Sequence, residues 1–496
     1  MSSQNDEASE QSSNAVGSSS IPLSAELDVL TGDIFTVTIG ATVPTGFEHT
    51  AAEEVKEKIG VDACISKDRG RIYFPITTDK LFQVHLLRSV DNLFVVVEEY
   101  EHYHFKESKE ETLMELQQLV TKLPWTNALE VWKLNCTLKK RKGYRKGGNG
   151  MKIKSNSDNV ETTEANIDQQ ELPELAPTSE GQVKAEGLPD VEPATQTSGE
   201  TPSEAKVTRF RVTCNRAGDK HSFSSNEAAR DFGGAVQEFF QWKADMTKFD
   251  IEVLLNIHKD EVVIGIALTE ESLHRRNISH FGPTTLRSTL CYGMLRLCNP
   301  QLSDVIIDPM CGTGAIPLEG AIEFNSSFYI AGDNYDMAVK RTVNNICHIQ
   351  KRRADKGSAF GLPIDTVQWD LCNLAMRTSS VDIIITDMPF GKRMGSRRKN
   401  WDLYPSCLRE MARVCRPASG KAVLLTQDKK CFSKAVSRMG GLWRKLHTVW
   451  VNVGGLHAAV YLLKRTGAVF GQTPEDVHES QGTVNTQGEK DDKEFS

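Results

Sequence analysis

From residue 273 onward the chain repeats one pattern, a short segment that is apolar throughout followed by a stretch with helical spacing. The apolar segments fall at 305–307, 328–331, 366–368, 381–386, 422–426, 449–453 and 458–463. A strand with one face in water alternates apolar and polar residues, whereas a strand covered on both faces has no need to. Residues 273–470 are therefore expected to form a doubly wound α/β domain, with helices on both faces of a mostly parallel sheet. In such a sheet ligands bind beyond the carboxyl ends of the strands.

Those strand ends carry a consistent chemistry. Asp308-Pro309-Met310-Cys311-Gly312-Thr313-Gly314 follows the first strand and precedes a helical stretch with Leu318, Ala321 and Ile322. A strand, glycine turn and helix in that order let the backbone approach a nucleotide-like ligand closely. Asp308, Met310, Cys311, Gly312 and Gly314 are the candidates for that contact, with Cys311 as a small filler rather than a nucleophile. The second strand ends at Ala331-Gly332-Asp333-Asn334, about 20 residues on, which puts Asp333 where an acid can bind a ribose hydroxyl pair. Asp370 ends the third strand, within reach of an adenine amino group. Either acid taken alone could equally be a solvated helix cap; successive acids along one sheet edge argue for a site.

The fourth strand ends in Asp387-Met388-Pro389-Phe390. The tetrapeptide resembles the D/N-P-P-Y/F motif of enzymes that methylate planar amino groups, which implies an exocyclic amine as acceptor. Such an amine has its lone pair delocalised into the ring, so its methylation needs acceptors for its N–H bonds and room for nitrogen to pyramidalise. Asp387 and the Met388 carbonyl supply two acceptors, Pro389 stiffens the turn and Phe390 supplies a stacking face. Alignment and electrostatics then carry the reaction, without a covalent nucleophile.

The N-terminal half reads differently. Strands at 33–39, 71–76 and 93–100 and helices at 51–59 and 80–87 suggest a ferredoxin-like α+β unit over 29–105. A helix at 110–123 and strands at 129–138, 208–214 and 262–268 follow. So do a capping box of Ser224 and Glu227, a helical stripe of Phe232, Val236, Phe239 and Phe240, and an alternating strand from Phe249 to Ile257. Residues 106–272 make one domain interrupted at 147–206, a stretch rich in Glu, Pro, Thr and Ser that composition marks as disordered, like the tails 1–28 and 471–496.

Composition sets limits. With 496 residues the chain is too long for one core, and a net charge of −7 is no basic coat, though tails can mask a local basic surface. Eleven scattered cysteines without a CxxC pair, and a start without a signal-peptide pattern, suggest reduced thiols, an intracellular protein and no zinc site. No apolar run reaches the roughly 18 residues of a membrane span. Cytoplasmic residence is expected, with the nucleus also open.

Two basic clusters stand out. Lys392, Arg393, Arg397, Arg398 and Lys399 follow the tetrapeptide directly, and Lys139, Lys140, Arg141, Lys142, Arg145 and Lys146 surround Tyr144 after the strand expected at 129–138. Both can meet phosphates, and the first borders the site. Trp401 and Tyr404 either stack on RNA or pack against the next helix.

Asp308 to Gly314, Asp333, Asp370 and Asp387 to Phe390 resemble the class I, Rossmann-like methyltransferase signature, and the tetrapeptide is similar to the D/N-P-P-Y/F motif of enzymes acting on planar amino groups. Met388 stands where that motif has its first proline. His280-Phe281-Gly282-Pro283-Thr284-Thr285-Leu286 and the helix after it resemble the lead-in of the RNA guanine N2-methyltransferases that carry a THUMP domain, and 106–272 is similar to that domain with its ferredoxin-like neighbour. The resemblance implies S-adenosylmethionine as cofactor, Asp387 to Phe390 as catalytic residues and Asp308, Met310, Cys311, Gly312, Gly314, Asp333, Asn334 and Asp370 as cofactor contacts. It also implies N2-methylation of guanine in the tRNA acceptor stem, at position 6, with THUMP gripping the CCA end. A small zinc-binding activating subunit would form a heterodimer along the methyltransferase sheet edge. Two other readings stay open: methylation of protein glutamine or adenine, and a silent RNA-binding adaptor.

Overall fold

The computed structural model describes residues 34–66, 70–144, 207–218, 221–358, 360–391 and 395–471. The expectations for 1–28, 472–496 and the whole of the 147–206 insert lie outside the described residues.

The N-terminal module begins β1 (Thr36–Thr42), α1 (Glu48–Ile59), β2 (Cys64–Ser66), β3 (Arg71–Thr77), α2 (Leu81–Val84) and β4 (Asn92–Tyr100). It continues α3 (Lys109–Leu119), α4 (Trp125–Tyr144), β5 (Arg209–Ala217), α5 (Ser225–Phe240), β6 (Lys243–Ala244), β7 (Ile251–His258) and β8 (Glu261–Ala267). The strands make one eight-stranded sheet in the order β2-β3-β1-β4-β8-β7-β5-β6. The units expected at 29–105 and 106–272 thus share a sheet: β4 pairs antiparallel with β8, from Phe94 opposite Ala267 to Tyr100 opposite Val262, and one core runs beneath both.

Two expectations change. The strand expected at 129–138 is helical, the middle of α4. Leu129, Val131, Leu134, Cys136 and Leu138 come close to a two-residue alternation, but the buried residues are Trp125, Ala128, Val131 and Asn135, a helical spacing. Asn135 is satisfied in that position by donating to the Leu268 carbonyl at 2.9 Å, with His85 Nε2 at 2.7 Å from its oxygen. The helix expected at 80–87 shrinks to a single turn preceded by a 3-10 turn at Thr78–Lys80. The capping box of Ser224 and Glu227 opens α5 as expected.

The second module comprises α6 (Ser288–Cys298), β9 (Val305–Asp308), α7 (Ala315–Glu323), β10 (Phe328–Asp333), α8 (Asp336–Ala354), β11 (Ile364–Gln368) and β12 (Ile383–Asp387). It ends with α9 (Arg397–Val414), β13 (Lys421–Thr426), α10 (Lys429–Arg438), β14 (Trp443–Val453) and β15 (Leu456–Arg465). The seven strands lie in the order β11-β10-β9-β12-β13-β15-β14, and all neighbours are parallel except those of β15. Cores on both faces account for the continuous apolar strands. From β9 the chain winds outward to β11 and then crosses back to β12, so the order reverses between β9 and β12. That reversal opens a crevice at the carboxyl edge.

Charged groups seat the N-terminal module on α7, the helix that follows the glycine turn. Arg88 Nη1 donates to Glu319 at 2.7 Å and its Nε lies 2.6 Å from Glu323, which Lys58 also bonds. Glu319 is fully buried and accepts a further bond from Asn277. Arg276 donates to the carbonyls of Leu87, Arg88 and Val90. Phe47 packs flat on α6, where a Cβ at Gly293 would come within 2.6 Å of the ring. Among the described residues no helix is long and apolar enough to cross a membrane.

Candidate active site

β9, β10 and β12 end on Asp308, Asp333 and Asp387 at one edge of the sheet, and Asp370 lies two residues beyond β11. The glycine turn between β9 and α7 is held from three sides. Cys311 N–H donates to the Gly332 carbonyl at 2.8 Å, Gly312 N–H to Asp333 Oδ2 at 3.0 Å, and Thr342 Oγ1 to the Gly312 carbonyl at 3.3 Å. Gly312 and Gly314 have φ of 57° and 77°, the left-handed region that favours glycine. A Cβ at Gly314 would collide with Thr342, whereas one at Gly312 would meet nothing within 4 Å. Gly314 is thus required by packing, and Gly312 leaves open space above the turn for a ligand.

Asp308 is buried, and its carboxylate accepts from Met310 N–H at 3.2 Å, so it shapes the turn from below. Burial, reinforced by Asp387 and Asp333, holds its pKa well above the usual carboxylate range. Asp333 accepts from Tyr335 N–H as well as Gly312 N–H, and Asn334 beside it is exposed. Asp370 is exposed and accepts from Cys372 N–H at 2.9 Å. Cys311 is buried and its thiol pKa is pushed far up, first by burial and then by Asp308, so it is no nucleophile.

Asp387 is pushed up to about 7, mainly by burial, with Asp333 adding to the effect. Three carboxyls crowded together are an arrangement a positively charged ligand would relieve. Met388 is buried and its N–H donates to the Leu425 carbonyl, fixing the tetrapeptide to β13. The Pro389 carbonyl accepts from Tyr404 Oη at 2.6 Å and Asn400 Nδ2 at 3.0 Å. Tyr404 Oη also sits 2.7 Å from Thr426 Oγ1, which accepts from Asp428 N–H. Phe390 is half-buried against the core.

These contacts add residues that the sequence reading missed. Asn345 on α8 is buried; its oxygen accepts from the N–H groups of Ser279 and His280, and its amide donates to the carbonyls of His280 and Thr313, pinning the lead-in loop to the glycine turn. Trp369 packs across Gly332, where a Cβ would come within 2.0 Å of the indole, and bonds the Pro309 carbonyl. Tyr404 is fully buried, which leaves its ring no RNA to stack on; Trp401 is partly exposed with Lys434 5.3 Å from its ring.

The basic clusters separate. Arg397, Arg398 and Lys399 are exposed on the first turn of α9, beside the tetrapeptide, while Lys392 and Arg393 lie outside the described residues. Lys140 is exposed and Arg141 follows it in the last turns of α4, on the N-terminal module and away from the row of acids. Lys139 is paired with Glu270. Because 129–138 is helical, the described part of this run, up to Tyr144, continues a helix rather than a strand.

Residues 275–459 match the family described as RMKL-like, methyltransferase domain, and residues 192–267 match the THUMP domain. The chain is 61% identical to the tRNA (guanine(6)-N(2))-methyltransferase THUMP3 of Bos taurus, over 88% of this chain and 89% of that protein. The human protein of that name is 59% identical over 88% and 89%. The chain belongs to the THUMP3 methyltransferase family. The crystal structure of TrmN from Thermus thermophilus shares its fold, with a TM-score of 0.59 at 20% identity, over 87% of this chain and all of that one. In this THUMP-bearing family the module before the methyltransferase domain is thus the one whose shared sheet is described above.

Proposed function

We propose that this chain transfers a methyl group from S-adenosylmethionine to the exocyclic N2 amine of a guanine in transfer RNA. The observation that carries the reading is the placement of Asp387-Met388-Pro389-Phe390 at the switch point, beside a glycine turn with open space over Gly312, in a chain of the THUMP3 family. Family membership and a THUMP domain weigh against the readings as a protein-glutamine or adenine methyltransferase and as a silent adaptor.

S-adenosylmethionine supplies an electrophilic methyl group on a sulfonium. Gly312 and Gly314, with Met310 and Cys311, line its cradle; Asp308 holds the cradle's shape, Asp333 with Asn334 addresses the ribose, and Asp370 the adenine. Burial opposes the ionisation of Asp308 and Asp387, and a cation bound beside them would favour their charged forms. Asp387 and the Met388 carbonyl accept the two N–H bonds of the target amine, so electron density builds on nitrogen as it turns toward the methyl group. Tyr404 and Asn400 hold the Pro389 carbonyl and thereby the aim of the tetrapeptide. Phe390 stacks on the base. No covalent enzyme intermediate is involved.

Arg397, Arg398 and Lys399 stand at a helix N-terminus, against the helix dipole and one another, a cost that RNA phosphates would offset. Lys392 and Arg393 belong to the same RNA contact, and Lys140 and Arg141 to a second on the N-terminal module. The relatives named for guanine 6 support that position; we place it in the acceptor stem, with the THUMP module on the CCA end. For the zinc-binding activating subunit, the outer edge of β11 beside exposed Phe328 and Phe360 is the docking strand we favour. We place the activity in the cytoplasm, with nuclear presence compatible with the same chemistry.

The test is transfer from labelled S-adenosylmethionine to total small RNA, with and without the subunit, followed by nucleoside analysis. N2-methylguanosine in tRNA is the expected product; no RNA label under either condition contradicts the reading.

A further inference from the structure

Trp450 is 58% exposed although it lies within a strand, and register fixes where it stands. Val449 and Val451 on either side of it belong to the core shared with α6, so Trp450 points to the opposite face, the one covered by α9 and α10. It pairs with Ala459, and Ala459 pairs with Thr426. Two strand spacings put it about 10 Å from Thr426. Thr426 in turn shares the Tyr404 hydroxyl with the Pro389 carbonyl, so Trp450 lies in the row that ends at the tetrapeptide. Its backbone meets the seam of the two modules, where a Cβ at Gly46 would come within 2.1 Å of the Trp450 carbonyl.

The helices on this face are basic where they start. α9 and α10 follow β12 and β13, which are parallel neighbours, so both begin at the carboxyl edge. Their first turns touch: Asn400 Nδ2 donates to Asp428 Oδ2 at 3.3 Å, and Cys431 Sγ to the Asn400 carbonyl at 3.3 Å. Arg397, Arg398, Lys399, Lys429, Lys430 and Lys434 lie on the first two turns of the pair, and among the described residues none of them is in an ion pair. The acids there are Asp402 and Asp428, and Asp428 is occupied as the cap of α10, accepting from Cys431 N–H at 3.3 Å. Cations gathered at helix starts oppose the dipole and one another, so they cost the fold stability. Two aromatic rings lie among them. Lys429 Nζ is 4.2 Å from the Trp450 ring and Lys434 Nζ 5.3 Å from that of Trp401, which is 37% exposed. Cation–π pairs this exposed stabilise a fold only slightly. Exposed rings interleaved with unpaired cations are the combination that binds single-stranded nucleic acid, bases on the rings and phosphates on the cations.

We propose that the face formed by α9, α10 and Trp450 binds an unpaired stretch of the RNA next to the methylated guanine, with bases on Trp450 and Trp401 and phosphates on Lys429, Lys430 and Lys434. The proposal rests on the reading of the chain as an RNA methyltransferase, and it extends the contact at Arg397, Arg398 and Lys399 along the sheet edge. The strand then runs from the seam over Trp450 and α10 to Asp387, which sets the direction from which the target base enters.

The test uses the full chain, with tRNA binding measured at several salt concentrations for wild type, Trp450→Ala, Trp450→Phe and the double variant Lys430→Gln with Lys434→Gln. All are surface changes that leave the fold intact. Trp450→Ala should bind about fivefold or more weakly without changing the salt slope, whereas Trp450→Phe keeps most of the affinity. The double lysine variant should bind about tenfold more weakly near about 0.1 M salt and lose about 1.4 units of slope, the share of two phosphates on a single strand. S-adenosylmethionine affinity should stay the same in all of them. If wild type methylates tRNA and both Trp450→Ala and the double lysine variant bind it as wild type does, the RNA face is wrong, whether or not it holds a protein instead, while the enzymatic reading stands. If wild type itself methylates no RNA, the underlying reading fails and the face fails with it.

Discussion

The carboxylate of Asp333 reaches from the end of β10 to the backbone N–H of Gly312, 3.0 Å away, and joins the acid of the second strand to the glycine turn of the first. The same side chain accepts from Tyr335 N–H. Asp333→Ala is therefore expected to loosen the turn as well as remove a ribose contact. Charge-assisted hydrogen bonds contribute about 1.5–3 kcal/mol each, so S-adenosylmethionine should bind roughly ten- to a hundredfold more weakly. Calorimetric titration checks it, and an unchanged affinity would remove Asp333 from the site.

Asp387 makes a prediction about pH. With its pKa near 7 in the unliganded site, the carboxyl carries a proton at lower pH and loses an acceptor for the target amine. kcat/KM should rise about tenfold per unit below pH 7 and flatten above it. The fold also resists this ionisation, because the unfolded side chain titrates near about 3.9. Stability is full below that value and declines as pH rises toward about 7. Asp387→Asn lacks the penalty, so its gain in Tm over wild type should be larger at pH 8 than at pH 5; a gap independent of pH would contradict the assignment.

Much of this site was legible because it depends on local sequence. The strand, glycine turn and helix, and the acids at strand ends, follow from residue type and spacing alone. Tyr404 and Asn400 were not legible: their partner, the Pro389 carbonyl, is brought to them by the packing of α9 on the sheet. Asn345 lies 32 residues beyond Thr313, whose carbonyl it binds, and no local pattern marks it. In the fold, α4 was misread because its apolar residues fit two periods at once, and tertiary contact with β4 and β8 decided for the helix. The shared N-terminal sheet escaped notice because β4 and β8 are separated by the whole THUMP half.

Tyr404→Phe tests the support under the tetrapeptide. The change removes one donor to the Pro389 carbonyl and leaves Thr426 Oγ1 without that partner in a buried place. A loss of about 1–3 kcal/mol in unfolding free energy is expected. kcat should fall with little change in S-adenosylmethionine affinity, since the cofactor cradle is on other strands. A weaker cofactor Kd with normal kcat would place Tyr404 in a different role.

The seam carries a stability prediction. Arg88→Ala leaves Glu319 fully buried without its cation, and breaking a buried pair in this way costs about 3–5 kcal/mol. Adding Glu319→Gln to that variant removes the stranded charge and should recover part of the loss. Denaturant unfolding of the single and double variants decides it, and a double variant no more stable than Arg88→Ala would mean that the pair is not the source of the cost.

The central claim is that Asp387 accepts a hydrogen bond from the amine being methylated. Single-turnover formation of N2-methylguanosine in tRNA, with Asp387→Ala at saturating S-adenosylmethionine and RNA, tests it most directly. The account predicts a rate at least about a hundredfold below wild type with cofactor binding retained. A variant that forms N2-methylguanosine at the wild-type rate would contradict it.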